Sequence, residues 1–499
     1  MFYGILWVDF QFTRTPAVFV PAADGRGKRA KKKAPTGTGS SMSLFGWLTS
    51  LKFKKKKGST KRLSEKAFIP SGTAAATTPK ILLARLDGDK GGQITERLGD
   101  LLISISGVEV FRHKKTLKLP DAIENLGVRL ILAAEEGRAW LKDDDADLLV
   151  WGEVGQNGED LSLRLLPAPA ADGDQAEHYG IGETLEIPAA FGEEFEPLLC
   201  AAVIGTIGSS FKGARTRLGE LLSGYLEKAG EQVKPLPTKL SDVQAASVLI
   251  VIGNAFVAYS RLGGGSEQYD RAVEAYQEAE KKVSKETQPL LWARIENHLA
   301  AVLQTQGQMK KDPKALRAAA LIYSTVTATL SKSAHANDWG LAQIHLGKSL
   351  YILAGLEGKP EYLQRATDAY EEALSVCDKN GAPARWAEVT NQYGVVLLAL
   401  GEEMNADATL KKAVSSFRTA MKVRHKDKTP LLWAQTANNL GAACFALAKR
   451  NSQNALLREA SDCFEGATEI YRQQGVTKQA QVIEKNLQRV RRLLPTRGD

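Results

Sequence analysis

Cysteine is scarce in this chain. Four residues in 499 (Cys200, Cys377, Cys444 and Cys463) cannot form a disulfide framework, and each sits in an apolar stretch with helical spacing. They read as small core residues in a reducing compartment, the cytoplasm. The six histidines are scattered, and neither a Cys-x-x-Cys pair nor a His-Glu-x-x-His motif occurs, so no metal centre is expected. A Gly-x-Ser-x-Gly elbow is missing as well. Long apolar runs are also lacking at the start: Asp9, Arg14 and Pro16 interrupt residues 1–20, short of the roughly 20 apolar residues a membrane span needs. A secretory signal fits poorly there, since no charged segment precedes the apolar one. These absences argue for a protein that is not an enzyme and uses no cofactor.

Acidic residues are rare in one region only. Residues 1–66 hold 15 Lys and Arg against 3 acids, a charge of +12, so the +9 of the whole chain leaves −3 on the other 433 residues. A phosphate-backbone footprint over the folded part is therefore not expected, and nucleic acid is not an expected partner. Residues 1–78 read as a basic, mostly disordered tail with one amphipathic segment, 42–57, which also begins at a methionine suited to be an alternative start. In it Leu44, Phe45, Leu48 and Leu51 share helical spacing with Trp47 alongside, and Lys54, Lys55, Lys56 and Lys57 follow at once. Apolar burial and about 1 kcal/mol per lysine would add together on an anionic leaflet, so Trp47 and the four lysines are the candidate membrane anchor. A plain disordered basic tail is the competing reading. The localisation that follows is cytoplasmic, with peripheral attachment to the inner membrane as the variant.

From residue 79 to 210 short apolar runs alternate with helical stretches. Residues 80–86, 108–113, 147–154, 161–168 and 184–188 read as strands, and 94–105 and 121–143 as mainly helical; the Gly- and Asn-rich turn at 155–160 predicts a hairpin. The order implies a mixed sheet with helices against it. The stretch ADLLVWGEVGQNGEDLSLRLL (146–166), with IENLGVRLIL before it and FGEEFEPLLCAAVIGTI (191–207) after it, resembles the amino-terminal domain of TolB and its relatives, which implies a protein-interaction module without catalytic residues. The loop DGDKGGQ (87–93) has the strand-to-helix context of a phosphate cradle, but Lys90 is followed by Gly91, not Ser or Thr, and no Gly-x-Gly-x-x-Gly is present. A nucleotide-binding regulatory protein is accordingly the weakest alternative. Residues 211–242 read as a helical linker.

What the chain has in abundance is an internal period. Trp292, Trp339, Trp386 and Trp433 are each 47 residues apart. Eight residues after three of them stand Gly347, Gly394 and Gly441, and Tyr323, Tyr370, Phe417 and Phe464 follow at offset 31, with Tyr276 one period earlier. Such self-similarity identifies a repeat architecture, here a helical hairpin per unit. Pro289, Pro383 and Pro430, three residues before a Trp, mark helix starts. Residues 243–499 then comprise five units and a capping helix, and because one hairpin cannot bury both of its apolar faces the units must stack. The offsets resemble the tetratricopeptide repeat, whose period is about 34, in a long bacterial variant with WAxxxNxLG units. Here 19 residues separate the glycine from the next alanine of helix B (Gly347 to Ala366), about seven more than in that family.

The fold class expected is thus multidomain: a small α/β domain followed by an all-α superhelix of antiparallel helix pairs. The resemblance implies a protein-binding scaffold whose concave groove is lined by the first helix of each unit at offsets 2, 5 and 9. Carried over by register, this gives Arg294, Asn297, Lys348, Glu388, Asn391, Gln435 and Asn438 as candidate contacts to a protein or peptide partner. The amides among them alternatively satisfy neighbouring helix ends. A membrane-surface adaptor using the same groove is the second function.

Overall fold

The computed structural model describes residues 78–494 apart from 122, 124, 125, 169–181, 211–214, 233–239, 378, 380, 381 and 452; the amphipathic segment 42–57, with Trp47 and Lys54 to Lys57, lies outside the described residues. Five strands, β1 (Lys80–Leu83), β2 (Glu109–Arg112), β3 (Leu148–Val154), β4 (Asp160–Pro167) and β5 (Leu185–Pro188), form one sheet in the order β2-β1-β3-β4-β5. β1 runs parallel to β2 and β3, while β3 with β4 and β4 with β5 are antiparallel. Helices α1 (Gln93–Ile103) and α2 (Leu126–Asp143) are the crossovers. They cover opposite faces because the two right-handed crossovers, β1 to β2 and β2 to β3, run in opposite directions across the sheet. Leu82, Leu149, Trp151 and Leu166 pack with Ala133, Ala134 and Trp140 of α2. Ile81, Leu83, Leu148 and Val150 point the other way, into the core that holds Leu98 and Leu102 of α1.

That second core does not stop at the sheet. It takes in Cys200 and Ile204 of α3 (Glu196–Ser210), Leu218, Leu222 and Leu226 of α4 (Arg215–Gln232) and nearly all of α5 (Asp242–Tyr259). The linker expected at 211–242 is therefore largely a packed helix. α5 with the π turn that follows it (Asp242–Gly264) is long and apolar enough to cross a membrane by composition, but it is buried against β5, α3, α4 and α6 (Gln268–Glu280). Its start is fixed by a capping box between Ser241 and Gln244.

From α5 onward helices pack in successive pairs: α5 with α6, α7 (Pro289–Lys310) with α8 (Pro313–Thr329), α9 (Ala336–Glu357) with α10 (Pro360–Val376), α11 (Pro383–Glu403) with α12 (Asp407–Met421), and α13 (Pro430–Asn451) with α14 (Asn454–Gln473). α15 (Thr477–Arg491) closes on α14. This is the arrangement of a helical-repeat domain. Proline begins α7, α11 and α13, as expected, and also α8 and α10, where its missing N–H costs nothing.

The periodic residues meet across each pair. A Cβ placed on Gly347 would lie 2.8 Å from the ring of Tyr370, one on Gly394 2.8 Å from Phe417 and one on Gly441 2.9 Å from Phe464; Gly253 faces Tyr276 in the same way. In these four pairs glycine on the first helix is what lets the aromatic ring of the second lie against bare backbone, whereas α7 carries Ala300 at this register. Trp292 and Trp339 are buried, whereas Trp386 and Trp433 are half-buried. Lysine ammonium groups seven residues earlier sit over three indoles: Lys332 at 4.8 Å from Trp339, Lys379 at 4.8 Å from Trp386 and Lys426 at 5.5 Å from Trp433.

Candidate functional site

The first helices of successive pairs (α7, α9, α11, α13) share a register, so positions 2, 5, 9 and 12 residues after each Trp fall on one helical face. The seven residues expected to line a groove occupy that face at different depths. Asn391 and Asn438 are 1% and 4% exposed, beneath the surface. Asn439 Nδ2 donates to Asn391 Oδ1 at 3.3 Å, and Asn438 Nδ2 to Asn439 Oδ1 at 3.5 Å, so these amides bridge α11 to α13. One polar atom of each amide stays buried without a partner, Asn391 Nδ2 and Asn438 Oδ1, and the same holds for Asn297 Oδ1.

Glu388 and Gln435 are drawn together by a residue that spacing does not reveal. Arg424, in the connection between α12 and α13 and only 3% exposed, pairs with Glu388 and donates to Gln435 Oε1 at 3.2 Å and Thr436 Oγ1 at 2.7 Å. Arg294 donates through Nε to Asp338 Oδ1 at 2.9 Å and through Nη1 to the carbonyl of Gly182 at 2.7 Å. Lys348 is half-exposed. The solvent-facing part of the face is then carried by Leu341, Ile344, Lys348 and Tyr351 on α9, Gln392 and Val395 on α11, and Gln435 and Phe445 on α13, all half-exposed.

Two histidines complete the register. His298 stacks on Tyr276 and His345 on Tyr323, each with centroids 5.4 Å apart and rings inclined by 15° and 16°. His298 Nε2 is 2.9 Å from Glu183 Oε1, which brings a stretch of the sheet domain onto α7. Beside it a cleft of about 420 Å³ opens between Thr184 and Glu186, Ser247 of α5, and the starts of α7 and α9.

Other chemistry-bearing groups are engaged structurally. Burial pushes the thiols of Cys200 and Cys463 up to about 12, so both are held as neutral thiols. Asp89 in the loop after β1 accepts from Thr95 N at 2.8 Å, Thr95 Oγ1 at 2.7 Å and Ile94 N at 3.4 Å. The free amides at the start of α1, which an anion would require, already face a carboxylate. No cluster of three or more His, Cys, Asp or Glu suited to a metal occurs among the described residues.

No family model and no curated protein matches this chain. Among solved structures, the crystal structure of BtubC (BKLC) from P. vanneervenii aligns with a TM-score of 0.38 at 19% identity, over 53% of this chain and 93% of that one.

Proposed function

We propose that this protein is a non-enzymatic scaffold that binds a protein or peptide partner on the face formed by α7, α9, α11 and α13. In this reading the helix pairs are long tetratricopeptide-type units stacked into a superhelix, and the face is its concave side. The observation that carries it is the set of half-exposed side chains on this face, with Ile344, Tyr351, Val395 and Phe445 among polar Lys348, Gln392 and Gln435. Aromatic and aliphatic anchors with a polar surround are the composition of a binding surface. The unpaired amide atoms of Asn297, Asn391 and Asn438 lie under the same side chains, beneath the surface that a bound main chain would touch. The sheet domain reads as the TolB amino-terminal type, an accessory interaction module. A nucleotide-binding role has less support, since Asp89 occupies the helix start a phosphate would use.

The test is affinity capture with the tagged full chain and with Tyr351→Arg/Val395→Arg, both folded by circular dichroism. A partner recovered by the wild type and lost by the variant supports the assignment. Equal recovery by both removes this face from the account.

A further inference from the structure

The stretch that leads into β5 is held by the repeats in an orderly manner. Ser247 Oγ donates to the carbonyl of Thr184 at 3.1 Å and accepts from Glu186 N at 2.7 Å. Arg294 Nη1 donates to the carbonyl of Gly182 at 2.7 Å. Ser247 and Arg294 are 47 residues apart, so two carbonyls spaced by two residues are read by the same register position on two consecutive first helices. Between them the side chain of Glu183 reaches His298. This is the geometry by which a row of helices would hold a foreign main chain: donors at a fixed register take alternate carbonyls, and one side chain pocket selects a residue type.

Two details separate this arrangement from simple domain packing. A Cβ on Gly182 would lie 2.5 Å from Arg294 Nη2, so a methyl there would displace the guanidinium from its present place against the Gly182 carbonyl. The second oxygen of Glu183, Oε2, is buried without a partner, so the seat is incompletely satisfied by its present occupant. An unpaired buried oxygen on a charged group is costly, so the site holds its present occupant less tightly than it would hold a fully paired one.

We propose that Gly182–Thr184 occupies in cis a site of the repeats for an acidic peptide, in which Ser247 and Arg294 bind alternate carbonyls and His298 receives the carboxylate. The proposal rests on the protein-binding reading above and names a ligand class for the first two units. The partner it fits is a segment with a glutamate or aspartate flanked by small residues on the Arg294 side. The chain's own copy keeps the site filled, so an external segment must displace it or engage the later units.

The experiment uses the full chain. Glu183→Lys reverses the charge that faces His298, and Gly182→Ala opposes the close approach of Arg294 without changing charge. Both are expected to speed hydrogen exchange at Glu186, whose N–H donates to Ser247 Oγ. A fluorescein-labelled peptide with the sequence of residues 180–188 (Gly-Ile-Gly-Glu-Thr-Leu-Glu-Ile-Pro) is expected to bind both variants at least about tenfold more tightly than wild type by anisotropy. Replacing the peptide's first glutamate by glutamine should abolish that gain. Unchanged exchange, or faster exchange without peptide binding, overturns the proposal and makes the stretch a fixed strut. A gain confined to Glu183→Lys, or one kept by the glutamine peptide, also overturns it, because simple charge attraction would then explain it. Failure here with capture by the Tyr351 face intact leaves the scaffold reading standing, whereas loss of that capture bears on the scaffold reading alone.

Discussion

Glu296 on α7 shows how a single side chain couples the repeats to pH. It is 3% exposed and faces Glu280 of α6. Burial, reinforced by the neighbouring carboxyl, pushes its pKa up to about 8, and burial raises Glu280 as well. The folded state therefore keeps a proton that the unfolded chain releases near pH 4.3. Stability must fall as pH rises from there towards 8, because over that window the native state binds the extra proton. Glu296→Gln keeps the shape and removes the ionisation. Its melting temperature should vary less than that of the wild type between about pH 5 and 9, and exceed it at the alkaline end. Parallel melting curves across that range would refute this cause. An acid at a helical position reads as solvent-facing in the sequence, so neither this pair nor the buried Arg424 was legible there. What hides them is their dependence on a neighbour 16 or 36 residues away, at Glu280 and Glu388.

At the scale of elements the governing contact is glycine against an aromatic ring. A glycine in mid-helix costs roughly 0.5–1 kcal/mol relative to alanine, so Gly394→Ala would stabilise α11 if nothing opposed its methyl. Here Phe417 lies 2.8 Å from where that Cβ would sit. Overpacking of about 1–3 kcal/mol should win, and the substitution should destabilise. Phe417→Leu should recover part of the loss, giving a coupling energy in a double-mutant cycle of urea unfolding. Stabilisation by Gly394→Ala alone would show that the ring does not press on the backbone. These contacts were the most legible feature of the sequence, since the 47-residue interval carries glycine and aromatic together. The strands were legible too, because the short apolar runs at 147–154 and 161–168, joined by a turn-rich segment, predict paired strands of a sheet. α4 was only partly so: its apolar spacing predicts a buried stripe but not that Leu218, Leu222 and Leu226 join the core of the sheet domain.

For the whole molecule, one apolar cluster runs from Ile81 in β1 to Leu400 in α11, and a second takes over from Leu397 to Val490. The sheet domain thus shares an apolar core with the first repeats. Beyond that junction each pair meets its neighbours, so a unit can be removed if the register is kept. Deleting residues 340–386, one period of 47, joins Trp339 to Ala387 and keeps Asp338 beside Arg294. That protein should stay soluble with unchanged helical ellipticity per residue, while deletion of residues 340–379 should not. Similar behaviour of the two would argue against modular stacking. The contact of Gly182 and Glu183 with α7 was beyond the reach of periodicity, because the sheet segment carries no repeat of its own.

The partner-binding face is tested most directly by site-specific photocrosslinking in cells. A benzoylphenylalanine placed at Tyr351 or at Val395 should yield adducts with the same partner protein. The same group at Leu321, exposed on α8 away from the first-helix row, should yield none. Adducts formed from Leu321 and absent from both Tyr351 and Val395 would contradict the account.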